Sequence, residues 1–295
     1  LEQKFIEEYN RLNEKQKLAV DTIEGPVMVI AGPGTGKTQI LASRIGKILL
    51  ETDTLPQNIL CLTYTDAGVI AMRERLLKFI GPVAYRVHIH TFHSLCNEII
   101  QHNSNYFGYV NLKPANDLDV IEILQGIIDN MPNDNVLKRF KGEVYYEITS
   151  LRNLFRLIKE ENLKPEDIKK RADEHFNLQV ENEEFVYKKK GKGYEKGDIK
   201  QAAYDDALLK INKLKAAVDL FPVFQEKMLQ NKLYDFTDMI TWVVKAFEED
   251  KNFLLNYQER FLYVLVDEFQ DTNGAQNQIV RSITEYWEVP NLFVV

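Results

Sequence analysis

Hydrophobic positions along the chain switch between two rhythms. Over residues 5–23, Leu12, Leu18, Ala19 and Ile23 recur at helical spacing and predict one or two helices. Gly25-Pro26 interrupts them, and Val27-Met28-Val29-Ile30 predicts a short buried strand. Residues 39–50 return to the helical period, with Ile40, Leu41, Ile45, Ile48 and Leu49 on one face. A second strand is predicted over 59–64, and Asp66 is placed to cap a helix over 67–80. Residues 83–91 alternate like a strand, and the pattern is helical again from Phe92. Strand and helix in this order predict an α/β fold, a parallel sheet covered by helices.

From about residue 111 the strand rhythm stops. Leu118, Val120, Ile121, Ile123, Leu124, Ile127 and Ile128 open a stretch of mostly helical pattern, broken at Pro132 and Pro165. Residues 111–221 are therefore expected to form a helical insertion in a discontinuous domain of residues 1–110 and 222–295. Within the insertion, residues 185–200 (FVYKKKGKGYEKGDIK) are polar and glycine-bearing and predict a mobile hairpin or loop. The strand signal returns at residues 261–266, followed at once by Asp267-Glu268, and a last apolar run covers 292–295. That run has the pattern of a central strand, so the sequence is expected to be cut short.

The first strand runs into Ala31-Gly32-Pro33-Gly34-Thr35-Gly36-Lys37-Thr38, a phosphate-loop pattern with Ala in its first position. Glycines at 32, 34 and 36 allow backbone conformations closed to other residues and a close approach to phosphate oxygens. The loop amides and the following helix N-terminus would face the anion, with Thr35 inside the cradle. Lys37 would reach the β- and γ-phosphates, and the Thr38 hydroxyl would complete a Mg²⁺ shell. Asp267 would hold the Mg²⁺ and Glu268 would polarise an attacking water. The bland alternative for the acidic pair is an N-cap on the next helix.

Composition narrows the setting more than the chemistry. Of 295 residues, 45% are hydrophobic and 27% charged, as in ordinary globular domains. No apolar run approaches the roughly 20 residues that span a bilayer, and the polar start lacks the build of a signal peptide. Cys61 and Cys96 sit in apolar runs and suit a reducing, cytoplasmic compartment. A net charge of −7 argues against a polybasic nucleic-acid binder but leaves room for a local basic groove.

Several motifs together resemble one family. Asp267-Glu268-Phe269-Gln270-Asp271-Thr272-Asn273 resembles the DExx box of the superfamily 1 DNA helicases typified by UvrD, Rep and PcrA. Residues 12–20 (LNEKQKLAV) resemble their Q motif, Thr63-Tyr64-Thr65-Asp66-Ala67 with Met72, Arg73 and Arg75 their motif Ia, and Thr91-Phe92-His93-Ser94-Leu95 the next DNA-contact motif. Tyr234-Asp235-Phe236-Thr237-Asp238-Met239 is similar to the segment ahead of the DExx box. The order is the family's, and the motifs frame nearly the whole chain. The resemblance implies a RecA-like P-loop motor domain with an inserted 1B domain, part of an ATP- and Mg²⁺-dependent 3′-to-5′ DNA helicase of repair or replication restart. Gln16 would read the adenine edge. Thr63, Tyr64, Thr65, Thr91, Phe92 and His93 would meet single-stranded DNA near a junction with duplex, Tyr64 as a stacking platform. Asp66-Ala67-Gly68 departs from the family's usual Asn-Lys-Ala, which removes one basic contact.

The resemblance also implies what lies elsewhere: the next motif, a second motor domain with its transition-state arginines, and the aromatic that stacks on adenine. These 295 residues are accordingly expected to hydrolyse little or no ATP alone. Two competing readings are a helicase-nuclease subunit of the AddA or RecB kind and a non-catalytic nucleotide- or DNA-binding module. His88, His90 and His93 invite a metal reading, with 88 and 90 on one strand face, but the sequence shows no Cys or carboxylate set to complete a zinc shell. Lys188, Lys189, Lys190 and Lys192 could touch phosphate, yet Glu181, Glu183, Glu184, Glu195 and Asp198 nearly cancel their charge and favour a solvated loop.

Overall fold

The computed structural model describes residues 2–32, 34–108, 111–138 and 142–295. In chain order the elements are α1 (Glu2–Asn10), α2 (Glu14–Asp21), β1 (Val27–Met28), α3 (Lys37–Glu51), β2 (Ile59–Thr63), α4 (Asp66–Ile80), β3 (His88–Thr91), α5 (Phe92–His102) and α6 (Ser104–Phe107). Then come β4 (Lys113–Pro114), α7 (Asp117–Asp129), α8 (Ile148–Glu160), α9 (Pro165–Glu181), α10 (Gln201–Gln230) and β5 (Leu233–Tyr234). The chain closes with α11 (Phe236–Glu249), α12 (Lys251–Arg260), β6 (Tyr263–Val266), α13 (Gly274–Thr284) and β7 (Leu292–Val294).

The chain divides into two compact units, Leu1–Gly108 with Phe236–Val295, and Tyr109–Asp235. The first holds a wholly parallel five-stranded sheet in the order β1-β7-β6-β2-β3. Its strands alternate between two buried faces. Ile59, Cys61, Ile89, Tyr263, Leu265 and Phe293 pack with Val20, Leu41, Ile45, Met72, Leu76 and Phe79 from α2, α3 and α4. Leu60, Leu62, Val264, Val266 and Val294 point the other way and are buried as well. Helices α5, α11, α12 and α13 pack with one another as a second helical group. This is the expected mixed α/β architecture, consistent with a RecA-like domain.

Three local expectations change. The strand 27–30 is buried on one face only: Val27 and Val29 pack against the core, whereas Met28 and Ile30 are exposed, and among the described residues β1 pairs with β7 alone at the sheet edge. Thr65 rather than Asp66 caps α4, its hydroxyl accepting from Gly68 N–H at 3.0 Å. Residues 81–86 form a 3-10 turn with Pro82 near its start, so the strand begins only at His88.

The second unit is mostly helical around Leu124, Ile128, Leu151, Phe155, Val218 and Phe224 from α7, α8 and α10. The insertion was expected to end at 221, but Pro222 lies inside α10, and the unit runs on to Asp235. The other expected boundary abuts residues 109–110, which lie outside the described residues. Lys159, 2% exposed, pairs with Asp235 at 2.7 Å and lies over the Phe224 ring. The segment 185–200 is a hairpin with antiparallel bridges Val186–Ile199 and Gly191–Tyr194, where the Tyr187 and Tyr194 rings stack at 3.7 Å.

Candidate nucleotide and nucleic-acid site

The glycine-rich turn joins the edge strand β1 to α3. Gly34 and Gly36 take left-handed backbone (φ +74° and +81°), which glycine adopts without steric cost. Gly36 stands at the α3 N-cap, so the first amides of α3 have no intrahelical partner, the arrangement in which a helix start can hold an anion. Thr35 folds the turn on itself, its hydroxyl donating to the Gly32 carbonyl at 2.7 Å. Pro33 lies outside the described residues.

Across the sheet, β6 ends at Val266 and delivers Asp267 and Glu268. Lys37 Nζ donates to Glu268 Oε2 at 2.5 Å, and Gln270 Nε2 donates to the same oxygen at 2.6 Å. An ammonium holding an anionic oxygen beside the loop is the arrangement a phosphate would take over. The Lys37 hydrogen bond, then Gln270, hold the Glu268 carboxyl below its ordinary range. Burial, then the Glu268 charge, push the Asp267 carboxyl up. Glu268 itself sits at φ +50°, a strained conformation for a side-chain-bearing residue. Thr38, second in α3, and Asp267 offer the hard oxygens that suit Mg²⁺.

Gln16 has a double task. Its Oε1 accepts from Asn13 N–H and the Asn13 side chain accepts from Gln16 N–H, a capping box at the α2 start. Its Nε2 donates to the Thr35 carbonyl at 2.9 Å, tying α2 to the loop. The far end of α2 is held by Arg44, buried on α3, which donates to the carbonyls of Ala19, Thr22 and Ile23 and lies over the Phe293 ring. Burial lowers the Arg44 guanidinium to about 10. Sequence reasoning missed Arg44, and named Gln270 only within the DExx-like run, without its contact to Glu268. The signal for Arg44 was a lone cation inside the apolar face Leu41-Ile45-Ile48.

The residues expected to meet DNA divide by exposure. Tyr64 is 55% exposed at the β2–α4 turn. Thr63 is 1% exposed, its hydroxyl donating to the Thr65 carbonyl, and Thr65 is engaged as the cap of α4. Thr91 caps α5 through Ser94, and Phe92 is 2% exposed in the core. Thr63 and Phe92 are thus buried at a strand end and a helix start, whereas Tyr64 is exposed. His93 is half-buried and edge-on to Phe236 at 6.5 Å between centroids. His93 also stands apart from the other two histidines. His88 and His90 stack on the opposite side of β3 from Ile89, where Glu98 of α5 joins them at 3.4 Å from His90. Burial, then Arg260, lowers His88 to about 4.

Cys61 and Cys96 are free and buried, and burial raises both thiols. No helix among the described residues is long and apolar enough to cross a membrane.

The family model described as "UvrD/REP helicase N-terminal domain" matches residues 12–295. Several similar relatives carry the name ATP-dependent DNA helicase PcrA. That of Bacillus subtilis (strain 168) is 31% identical over 286 residues, 96% of this chain and 32% of the relative. That of Staphylococcus aureus (strain Mu50) is 29% identical over 291 residues, 97% and 33% respectively. That of Staphylococcus epidermidis (strain RP62A) is 30% identical over 289 residues, 96% and 33%. The chain spans about a third of the length of these relatives.

Proposed function

Because the chain belongs to the UvrD/REP helicase N-terminal domain family, we propose that it is the ATP-binding part of an ATP-dependent DNA helicase. The observation that carries this reading is the Lys37–Glu268 pair, which joins the phosphate loop to the strand-end carboxylates. In our reading the γ-phosphate of ATP takes Lys37 from Glu268, and the freed carboxylate becomes the base. Water oxygen attacks the γ-phosphorus, the bond to the β-bridging oxygen breaks, and ADP leaves with that electron pair. Glu268 accepts the water proton. Thr38 and Asp267 would hold Mg²⁺, which neutralises phosphate charge. Gln16 would exchange its Thr35 contact for the adenine edge.

The same reading gives single-stranded DNA and its junction with duplex as the partner, met by Tyr64 stacking and by His93. It takes the unit of residues 109–235 as the 1B domain and the rest as motor domain 1A. Unwinding would run 3′ to 5′, in repair or replication restart. A second motor domain would supply the arginines that complete the site, so this chain alone would turn over little ATP.

Titration with a fluorescent ATP analogue and Mg²⁺ tests the reading. We expect saturable binding that Lys37→Ala weakens by at least about tenfold, the loss of one charge-assisted phosphate contact. We also expect labelled oligo-dT binding that Tyr64→Ala weakens severalfold. Nucleotide binding that ignores Lys37→Ala, or brisk DNA-stimulated hydrolysis by these 295 residues, would overturn it.

A further inference from the structure

Strand alternation sends His88 and His90 off one face of β3, and Glu98, in the second turn of α5, meets them there. One donor atom from each of the three lies within 4.8 Å of the others. The nearest approaches are 3.5 Å from His88 Nδ1 to His90 Nε2, and 3.4 Å from His90 Nε2 to Glu98 Oε2. A tetrahedral ion with bonds of roughly 2.0–2.2 Å separates its donors by about 3.3–3.6 Å. His102, one turn beyond Glu98, brings Nδ1 to 3.9 Å from Glu98 Oε1.

We propose that His88, His90 and Glu98 bind a divalent transition-metal ion of the zinc class, with His102 or water as the fourth ligand. Two imidazoles and one carboxylate suit Zn²⁺ or Co²⁺, whereas Mg²⁺ prefers an oxygen octahedron. Hydrogen-bond accounting points the same way. Arg260 Nη2 lies 2.9 Å from His88 Nε2 and can only donate. The single hydrogen of His88 is therefore on Nδ1, directed at His90 Nε2. That nitrogen can accept from His88 or donate to the Glu98 carboxylate but not both, so one of its two contacts stays opposed, lone pair to lone pair or hydrogen to hydrogen. A cation among the three converts opposed lone pairs into ligands. It also requires the His88 hydrogen to move to Nε2, so the Arg260 guanidinium must turn away. Arg260 opposes the ion and sets its affinity.

The three ligands come from two elements, His88 and His90 on β3 and Glu98 on α5, which bracket Thr91, Phe92 and His93. Occupancy would fix the angle between strand and helix at that turn. Its relevance to DNA rests on the proposed function; the metal site itself does not.

The untagged 295-residue chain, in buffer containing Mg²⁺, is titrated with Co²⁺ and followed by visible absorption. We expect one Co²⁺ per chain with the intense bands of a four-coordinate ion, displaced by Zn²⁺. Glu98→Gln and His90→Asn should each weaken binding by at least about tenfold, and Arg260→Gln should tighten it severalfold, because a glutamine oxygen accepts from the relocated Nε2–H. Far-UV circular dichroism identifies folded variants, and ATP-analogue binding is measured separately, so that loss of either activity is distinguishable from loss of the other. No uptake of Co²⁺, undiminished uptake by folded Glu98→Gln, or weaker uptake by Arg260→Gln would overturn the proposal.

Discussion

At Asp267 burial favours the protonated carboxyl, whereas at Glu268 the Lys37 ammonium favours the carboxylate. Their contributions to stability run in opposite directions with pH. Glu268 stabilises the fold above its unfolded value near 4.5, and the contribution is lost as pH falls through its depressed folded value. Its partial exposure limits the effect to about 1 kcal/mol. The raised Asp267 behaves in reverse. Stability is highest below its unfolded value near 3.8 and is lost as pH rises through the folded value, because a buried charge then forms. Asp267→Asn is therefore expected to raise the thermal midpoint at pH 7 by about 1–3 °C, with the gain shrinking toward pH 4. Melts followed by circular dichroism across that range test the sign. A lower midpoint at pH 7 would show that the fold stabilises the carboxylate.

Among the elements, α2 is held at both ends, by Gln16 on the loop carbonyl and by Arg44 on the carbonyls of Ala19 and of Thr22 and Ile23 just beyond the helix. Removing Arg44 leaves those acceptors without their donor and opens a void beside Phe293. Arg44→Ala is expected to cost about 2–4 kcal/mol, read as a lower urea midpoint. It should also weaken ATP-analogue binding severalfold, since α2 positions Gln16. Unchanged stability would mean that water replaces the guanidinium. The strand–turn–helix of residues 27–51 was legible because glycine spacing and apolar period agree there. The acidic pair was legible because it follows an apolar run at once. Contacts across long sequence separations were not. Nothing near Glu98 announces the two histidines it meets, and no local pattern shows that Gln16 reaches Thr35. The edge position of β1 was hidden for the same reason, since an apolar run reads alike in the middle of a sheet and at its edge.

The two units have separate cores, one around the parallel sheet and one around α7, α8 and α10. Entry and exit of the second unit run side by side, with β4 and β5 paired in parallel at Lys113–Leu233 and Pro114–Tyr234. Calorimetry is therefore expected to resolve two transitions. Leu124→Ala should lower only one, by about 2–4 kcal/mol, and ATP analogue with Mg²⁺ should raise only the other. A single transition shifted by both would contradict the division. The strand order has a consequence in time. During synthesis β2 and β3 can pair early, whereas β1 waits for β7, with Val27 opposite Phe293. The helical unit emerges and can fold in that interval. A nascent chain thus carries its glycine-rich loop beside an unpaired edge strand until residues 292–294 have been made, long after the loop itself has emerged.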